Sequence, residues 1–424
     1  MHPAITRGLL ALAVAARLAT HVGAQVAPSS GLPATGPDPL HQTGDNVTVS
    51  LLTMGNGEEV WELFGHTAIK IRDNVSGRDT VFNWGVFDPR VPHFIAHFLQ
   101  GLNYYQMGGG TLAQLLYAYK YMDRTVVSQD LALSATQKDS LLHLIQVNAR
   151  PENLEYRYDY FQDNCATRPR DLLDRVLGGQ LRAKANGLTG TTYRWQALRL
   201  MQGDKPLVVG VNIGLGEPAD VELTKWQTMF LPRALHDFAA SLQVADGAGA
   251  MHPLVTGERV LYQSTRPAER DAPPNMIAWL LPLGLVVAGL FGWLAIRATP
   301  TKRGARIAAA VLFCIWCTVA GLLGTVLTLL WSVTDHIFAH RNENLLLLNP
   351  LWLVLAVLVA VSIGRGRAST FTYRLALTVA GLTVVALLEH VILLSRQANL
   401  AIIALTLPPA LVIAWAMNPK RFPR

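Results

Sequence analysis

From residue 275 onward, long apolar runs alternate with short polar loops, a pattern that the middle of the chain lacks. Five runs stand out, at about 276–296, 306–331, 346–364, 374–394 and 398–417. An α-helix rises 1.5 Å per residue, so about 20 apolar residues cross the roughly 30 Å hydrocarbon core of a bilayer. The pattern therefore predicts an all-α bundle of about five transmembrane helices over residues 276–417. Asn349-Pro350 blurs the start of the third.

The middle of the chain shows shorter periods. Residues 46–54 and 66–72 alternate apolar and polar positions as strands do, and 80–87 and 126–132 are further strand candidates. Residues 92–100 and 111–121 have helical spacing, with Gly108–Gly110 as the break before the second. Ser134-Ala-Thr-Gln137 has the form of a capping box and predicts a helix to about Asn148. Residues 156–161 read as extended, and a helix is predicted from about Cys165 to Leu177, stopped by Gly178-Gly179. An amphipathic stretch covers 231–242. Residues 246–275, with Pro267, Pro273 and Pro274, read as a linker into the membrane.

At the other end, Arg7, the apolar run Leu9–Ala16 and the small pair Gly23-Ala24 have the order of a secretory signal. The predicted organisation is a signal peptide (1–24), a flexible leader (25–45), an exported domain (46–245), a linker (246–275), the membrane bundle (276–417) and a tail (418–424). Composition agrees: hydrophobic residues make up 51% of the chain, concentrated at the N-terminus and after residue 275.

The formal net charge of +7 raises nucleic acid as a partner, but the placement of the charge excludes it. Arg297, Lys302, Arg303, Arg306, Arg365, Arg367, Arg374, Lys420, Arg421 and Arg424 fall in alternate connections between spans. The opposite loops carry only Arg341 and Arg396. Such asymmetry marks the cytoplasmic side, which puts residues 25–275 outside, in agreement with the signal.

Three cysteines are present. Cys314 and Cys317 lie inside an apolar run and read as helix packing. Cys165 is then alone in the exported domain, with no partner there for a disulfide. It lies in Tyr158-Asp-Tyr-Phe-Gln-Asp-Asn-Cys165-Ala-Thr-Arg. A thiol at the first turn of a helix meets unpaired N–H groups and the positive dipole end, which lower its pKa and favour the nucleophilic thiolate. Arg168 and Arg170 add positive potential, and Asp163 or Asn164 can cap the helix. A nucleophilic cysteine needs an imidazole to exchange its proton. His66, after Gly65 at the mouth of a strand, is the best placed. Asn83 on the next strand is the choice for the group that orients it, with Asp88 second. No metal or cofactor is expected: external His, Cys and Asp residues lack zinc spacing, and Gly108–Gly110 lacks the lysine of a phosphate loop.

The segments FGHTAIKIRD, VFNWGVFD, PENLEYRYDYFQDNCATR and MFLPRALHDFA resemble the Lnb-type lipoprotein N-acyltransferase family, over roughly residues 48–242. The membrane half resembles that family too, through Thr334-Asp-His336, Asn342-Glu-Asn344 and Asn349-Pro350. The resemblance implies an α+β, permuted papain-like (NlpC/P60-like) periplasmic domain in the inner membrane of a bacterium, with Cys165 as nucleophile and His66 as base. It implies two-step acyl transfer, from a phospholipid donor to the cysteine and then to the α-amine of a diacylglyceryl lipoprotein. Trp84, Asp88, Tyr158, Asn164, Arg168, His336, Asn342 and Asn344 are the candidate substrate contacts. Glu389-His390, near the outer end of the fourth span, are ionisable groups of the kind that face a bundle interior or polar cavity. Two other classes stay open at this point: a thiol hydrolase acting on peptidoglycan peptides or a lipid thioester, and a catalytically silent membrane assembly protein.

Overall fold

The structure is a computed structural model and describes residues 39–87, 93–299 and 301–421. The expected signal peptide, most of the leader and Asp88 lie outside these residues. The chain forms two compact units. One comprises the described residues through Tyr193 together with Glu222–Asp271; the other comprises Arg194–Val221 together with the residues from Ala272 onward.

The first unit is built on a seven-stranded antiparallel sheet. Its strands are β1 (Val47–Met54), β2 (His66–Asp73), β3 (Asp79–Val86), β4 (Tyr104–Thr111), β5 (Val126–Leu131), β6 (Glu155–Arg157) and β7 (Val255–Tyr262), in the spatial order β7-β5-β1-β2-β3-β4-β6. Among the helices between them are α1 (Phe94–Gln100), α2 (Leu112–Tyr121), α3 (Ala135–Asn148) and α4 (Thr167–Val176). Another, α5 (Pro232–Ser241), precedes β7. The central strands are covered on both faces. On one, Val49, Leu51, Ile69, Ile71, Phe82 and Trp84 pack with Leu141 and Ile145 of α3, Leu173 of α4 and Leu235 of α5. On the other, Leu52, Met54, Ala68 and Val81 pack with Leu115 of α2. Each fully buried side chain of this size contributes about 1.5–3 kcal/mol, so this two-sided burial is what fixes the register of β1 and β2.

Local signals in the sequence explain the helix starts. Ser134 and Gln137 form both halves of the predicted capping box, and Thr111 with Gln114 does the same for α2. Three expectations for this unit are corrected. Gly108–Gly110 is no break; it runs inside β4, paired with Val81, Phe82 and Asn83. Glycine weakens a strand signal because it brings no side chain to pack. Residues 246–275 are more than a linker, since β7 forms the sheet edge on β5. Its exposed Glu258 and Arg259 are the charges that edge strands carry against pairing with other chains, and they hide the apolar alternation. The end of the expected leader is also held in place: Leu40 is in the core, and the Gly44 N–H donates to Asp139.

The second unit holds α6 (Ile277–Arg297), α7 (Arg303–Val333), α8 (Leu351–Arg365), α9 (Thr370–Val391) and α10 (Leu400–Ala416). Four spans are long and apolar enough to cross a membrane, the third being completed by the turn Glu343–Leu346 ahead of α8. The fifth, α10, is shorter, at 17 residues.

Residues 194–221, expected in the exported domain, belong to this unit. The buried Arg194 ties the segment together. It pairs with Asp220 at 2.8 Å and donates to the carbonyls of Asn212, Leu215 and Gly216. Asn342 and Asn344 hold the end of the helix Lys205–Gly214, donating to the carbonyls of Ile213 and Gly214, and of Asn212 and Ile213. The last carbonyls of a helix have no partner inside it, so these side chains supply what the backbone lacks. His390 contacts Asn399 at 2.6 Å, and Glu343 accepts from Ser395. The Glu389-His390 pair therefore lies at the edge of this polar cluster. Cys317 is buried and Cys314 lies near Thr318, as helix packing requires.

Candidate active site

His66 is the first residue of β2, and the turn before it explains its placement. Gly65 is left-handed (φ +79°), and a Cβ there would come within 2.7 Å of the Met54 carbonyl. Only glycine fits that corner without strain. On the sheet, Ala68 pairs with Asn83, so His66 and Asn83 are diagonal neighbours on one face, within reach of long side chains. The His66 Nε2 to Asn83 Oδ1 distance is 3.1 Å. Oδ1 accepts only, so Nε2 carries the proton and Nδ1 keeps its lone pair.

Extending the β2–β3 register two residues beyond Ala68 and Asn83 would set Gly85 opposite His66, but the ladder stops. Gly85 is left-handed (φ +86°), and a Cβ there would lie 3.6 Å from Cys165 Cβ and 3.5 Å from the Tyr158 ring. Cys165 and Tyr158 therefore flank Gly85 at ordinary contact distance, and it is the left-handed backbone that calls for glycine there. The backbone N–H of Thr67, the residue after His66, favours the thiolate form of the Cys165 sulfur. Cys165 thus lies beside Gly85, at the end of the β2–β3 ladder where His66 and Asn83 are in contact. Both Cys165 and His66 are half-buried, packed round by protein yet open to solvent on one side.

The electrostatics differ from the sequence expectation. Helix α4 begins at Thr167, two residues after the thiol. Asn164 Oδ1 accepts from the N–H groups of Ala166 and Thr167, so it serves as the cap and removes donors from the sulfur. Burial pushes the Cys165 thiol up to about 11, against the Thr67 N–H and the charge of Arg124, which favour the thiolate. Burial also lowers His66 to about 4; Arg124 lowers it further, and the Asn83 contact opposes. Thiol and imidazole are therefore both neutral at pH 7.

The cation that acts on this site is Arg124, not Arg168 or Arg170. Arg168 is gripped by both oxygens of Asp163 and lies 3.7 Å over the Tyr156 ring. Arg170 pairs with Asp171 and stacks on Trp226 at 3.9 Å. Arg124 is fully buried, bonded to the Gly55 carbonyl at 2.9 Å and paired with the buried Glu62 at 3.2 Å. Arg124, Glu62, Thr67 and Gly85 escaped the sequence reading. Glu62 stands in the same motif as His66, but no spacing connects it to a lone arginine 62 positions later.

The candidate substrate contacts separate into groups. Tyr158 is beside the sulfur, stacked on Tyr105 at 4.3 Å, with Phe87 stacked on Tyr105 at 4.9 Å. These rings form an apolar wall next to Cys165. Trp84 is a core residue instead, fully buried with its indole N–H donating to Asn148 at 2.7 Å. Asn164 is the helix cap, and Arg168 is engaged by Asp163. Asn342 and Asn344, at 1% and 0% exposure, are committed to backbone carbonyls rather than to a substrate. His336, in the second unit, is half-buried. Among the described residues, no three His, Cys, Asp or Glu side chains converge as metal ligands do.

Comparison with known proteins bears on this arrangement. A family model described as the Lnb N-terminal periplasmic domain matches residues 42–199, and the Lnb transmembrane domain matches residues 272–419. No curated protein and no solved structure matches the chain. The first match contains Cys165, His66 and Asn83, and the second contains all five apolar helices. The chain belongs to the Lnb-type family, as a membrane protein with a periplasmic N-terminal domain and a C-terminal transmembrane domain.

Proposed function

We propose that the protein is a lipoprotein N-acyltransferase that carries an acyl chain on Cys165. The single observation behind this is that the 3.1 Å His66–Asn83 contact and Cys165, packed beside Gly85, share the end of the β2–β3 ladder. A cysteine, a histidine and an orienting amide are the parts of a thiol acyl-transfer site, as in papain-like folds.

In the first step His66 Nδ1 takes the Sγ proton as the sulfur attacks the ester carbonyl of a phospholipid. The pair rests neutral, so proton transfer accompanies attack and does not precede it. The tetrahedral intermediate expels the lysophospholipid alkoxide, which recovers the proton from the imidazolium. In the second step the free α-amine of a diacylglyceryl lipoprotein attacks the thioester. His66 accepts the amine proton, and the sulfur leaves and is reprotonated. The amide product is more stable than the thioester, so the second step runs downhill if water is kept away. The ring wall of Phe87, Tyr105 and Tyr158 suits both an acyl chain and water exclusion. The backbone N–H of Cys165 is the natural oxyanion donor.

Topology supports the lipid substrate. Ten cations on one side of the spans against two on the other support a reading in which the periplasmic domain lies outside an inner-membrane anchor. Donor and acceptor then lie in the leaflet that the domain faces. The test is reconstitution of wild type and Cys165→Ser in liposomes with a diacylated lipopeptide. N-acylated product lost on substitution supports the proposal; release of cleaved peptide instead would mark a hydrolase. Unchanged acylation would remove Cys165 from the chemistry.

A further inference from the structure

We propose that a cavity at the cationic end of the membrane unit binds the phosphate of an anionic phospholipid, independently of the Cys165 site. The cavity measures about 150 Å³, and its lining includes Thr299, Arg306, Phe313, Ile363, Met417 and Arg421. It lies where the end of α6, the start of α7 and the ends of α8 and α10 come together.

Charge is the first argument. Two guanidinium groups line one small cavity, and none of its lining residues is acidic. The segments 297–306, 364–374 and 417–421, which connect or end these helices on that side, contain no Asp or Glu at all. Two cations that line one cavity repel each other, and an anion between them turns that repulsion into attraction.

Preorganisation is the second. Arg306 is fixed by donating through Nε and Nη2 to the Ile363 carbonyl, at 3.3 and 3.1 Å, and through Nη2 to the Gly364 carbonyl at 2.5 Å. Arg421 is fixed by its guanidinium lying 3.3 Å over the Trp415 ring. The carbonyl bonds leave Nη1 of Arg306 for a phosphate oxygen, and a guanidinium already held in one plane loses little further freedom on binding it.

Size and lining select the source of the phosphate. A cavity of about 150 Å³ has room for a headgroup phosphate. Its other wall, formed by Phe313, Ile363 and Met417, is apolar, as suits a glycerol backbone whose chains continue into the bilayer. Basic pockets between helix ends on the cation-rich side of a membrane are the usual setting for anionic headgroups. A soluble phosphate shares the charge but has no use for the apolar wall.

The test uses the full chain in detergent, incubated with phosphatidylglycerol, phosphatidylcholine or millimolar inorganic phosphate, with bound lipid counted by native mass spectrometry. Arg421→Gln removes one guanidinium, and Ala298→Phe fills the cavity while leaving both. The expected result is preferential retention of phosphatidylglycerol, reduced about tenfold by either substitution, the size of one lost charge-assisted contact. Phosphatidylcholine retention should not change. Should Arg421→Gln fail to fold, Ala298→Phe decides alone. Equal retention of the two lipids, or phosphatidylglycerol retention indifferent to the substitutions, overturns the proposal. Displacement of the lipid by inorganic phosphate overturns it too, by making the site one for a soluble anion.

Discussion

The carboxamide oxygen of Asn83 lies 3.1 Å from Nε2 of His66, across the last rung of the β2–β3 ladder, and so decides which imidazole nitrogen faces away from the sheet with its lone pair. Removing that contact frees the ring without touching the nucleophile. Asn83→Ala should lower kcat for N-acylation by roughly a hundredfold, the scale of losing orientation, while the protein folds and Cys165 stays accessible to a small alkylating agent. Steady-state kinetics with a thiol-labelling control measures it.

The pH profile follows from burial. His66 is held near 4 instead of 6.5, so it is still an unprotonated base well below neutrality. Activity should fall on the acid side only as pH approaches 4, and kcat/KM should be flat through neutrality, because the thiol stays protonated to about 11. Asn83→Asp places an anion beside the ring and should move the acid limb upward. The fold should lose stability as pH falls from 6.5 towards 4, since the unfolded chain takes up the His66 proton first.

Arg124 and Glu62 are both buried and 3.2 Å apart. Arg124→Met alone strands the Glu62 carboxylate and should cost about 3–5 kcal/mol of stability. Adding Glu62→Gln should recover most of that, seen as a restored thermal midpoint. The double variant should still show an acid limb shifted upward, because the charge that depresses His66 is gone. A purely structural pair would restore the midpoint and leave the limb where it was.

How far the site was legible depended on how local each signal was. His66 and Cys165 announce themselves by polar motifs around a lone thiol and a strand mouth. Capping boxes at Ser134 and membrane spans after residue 275 are equally local. Arg124 and Gly85 are different: their roles come from a register and a fold that bring residues 62, 66, 85, 124 and 165 together. The depressed thiol pKa expected from a helix start failed for a related reason. Asn164 satisfies the N–H groups that would have met the sulfur, and packing around the thiol outweighs the dipole. Asn342 and Asn344 looked like loop polar groups ready for a substrate, because nothing in the sequence reveals that the helix Lys205–Gly214 ends against them.

Gly85 should be intolerant of any side chain. Gly85→Ala forces a left-handed alanine, which costs about 1–2 kcal/mol, and sets a methyl 3.6 Å from Cys165 Cβ. Acylation should fall far more than stability, as measured by comparing rate with thermal midpoint.

Asn344→Ala should behave in the opposite way. It removes one of two donors from the buried carbonyls of Asn212 and Ile213 and takes from the buried Asn399 amide the oxygen it donates to at 3.1 Å, at about 1–3 kcal/mol. The midpoint should fall while KM for both lipid substrates stays constant. A raised KM would return Asn344 to the substrate site.

The most direct trial is to trap the enzyme between its two half-reactions. Wild-type protein mixed with phospholipid and no acceptor should gain the mass of one acyl chain, located on the peptide containing Cys165, removed by neutral hydroxylamine and transferred when a diacylated lipopeptide is added. An acyl group found on another residue, or undiminished adduct and product in Cys165→Ala, would contradict a thioester route.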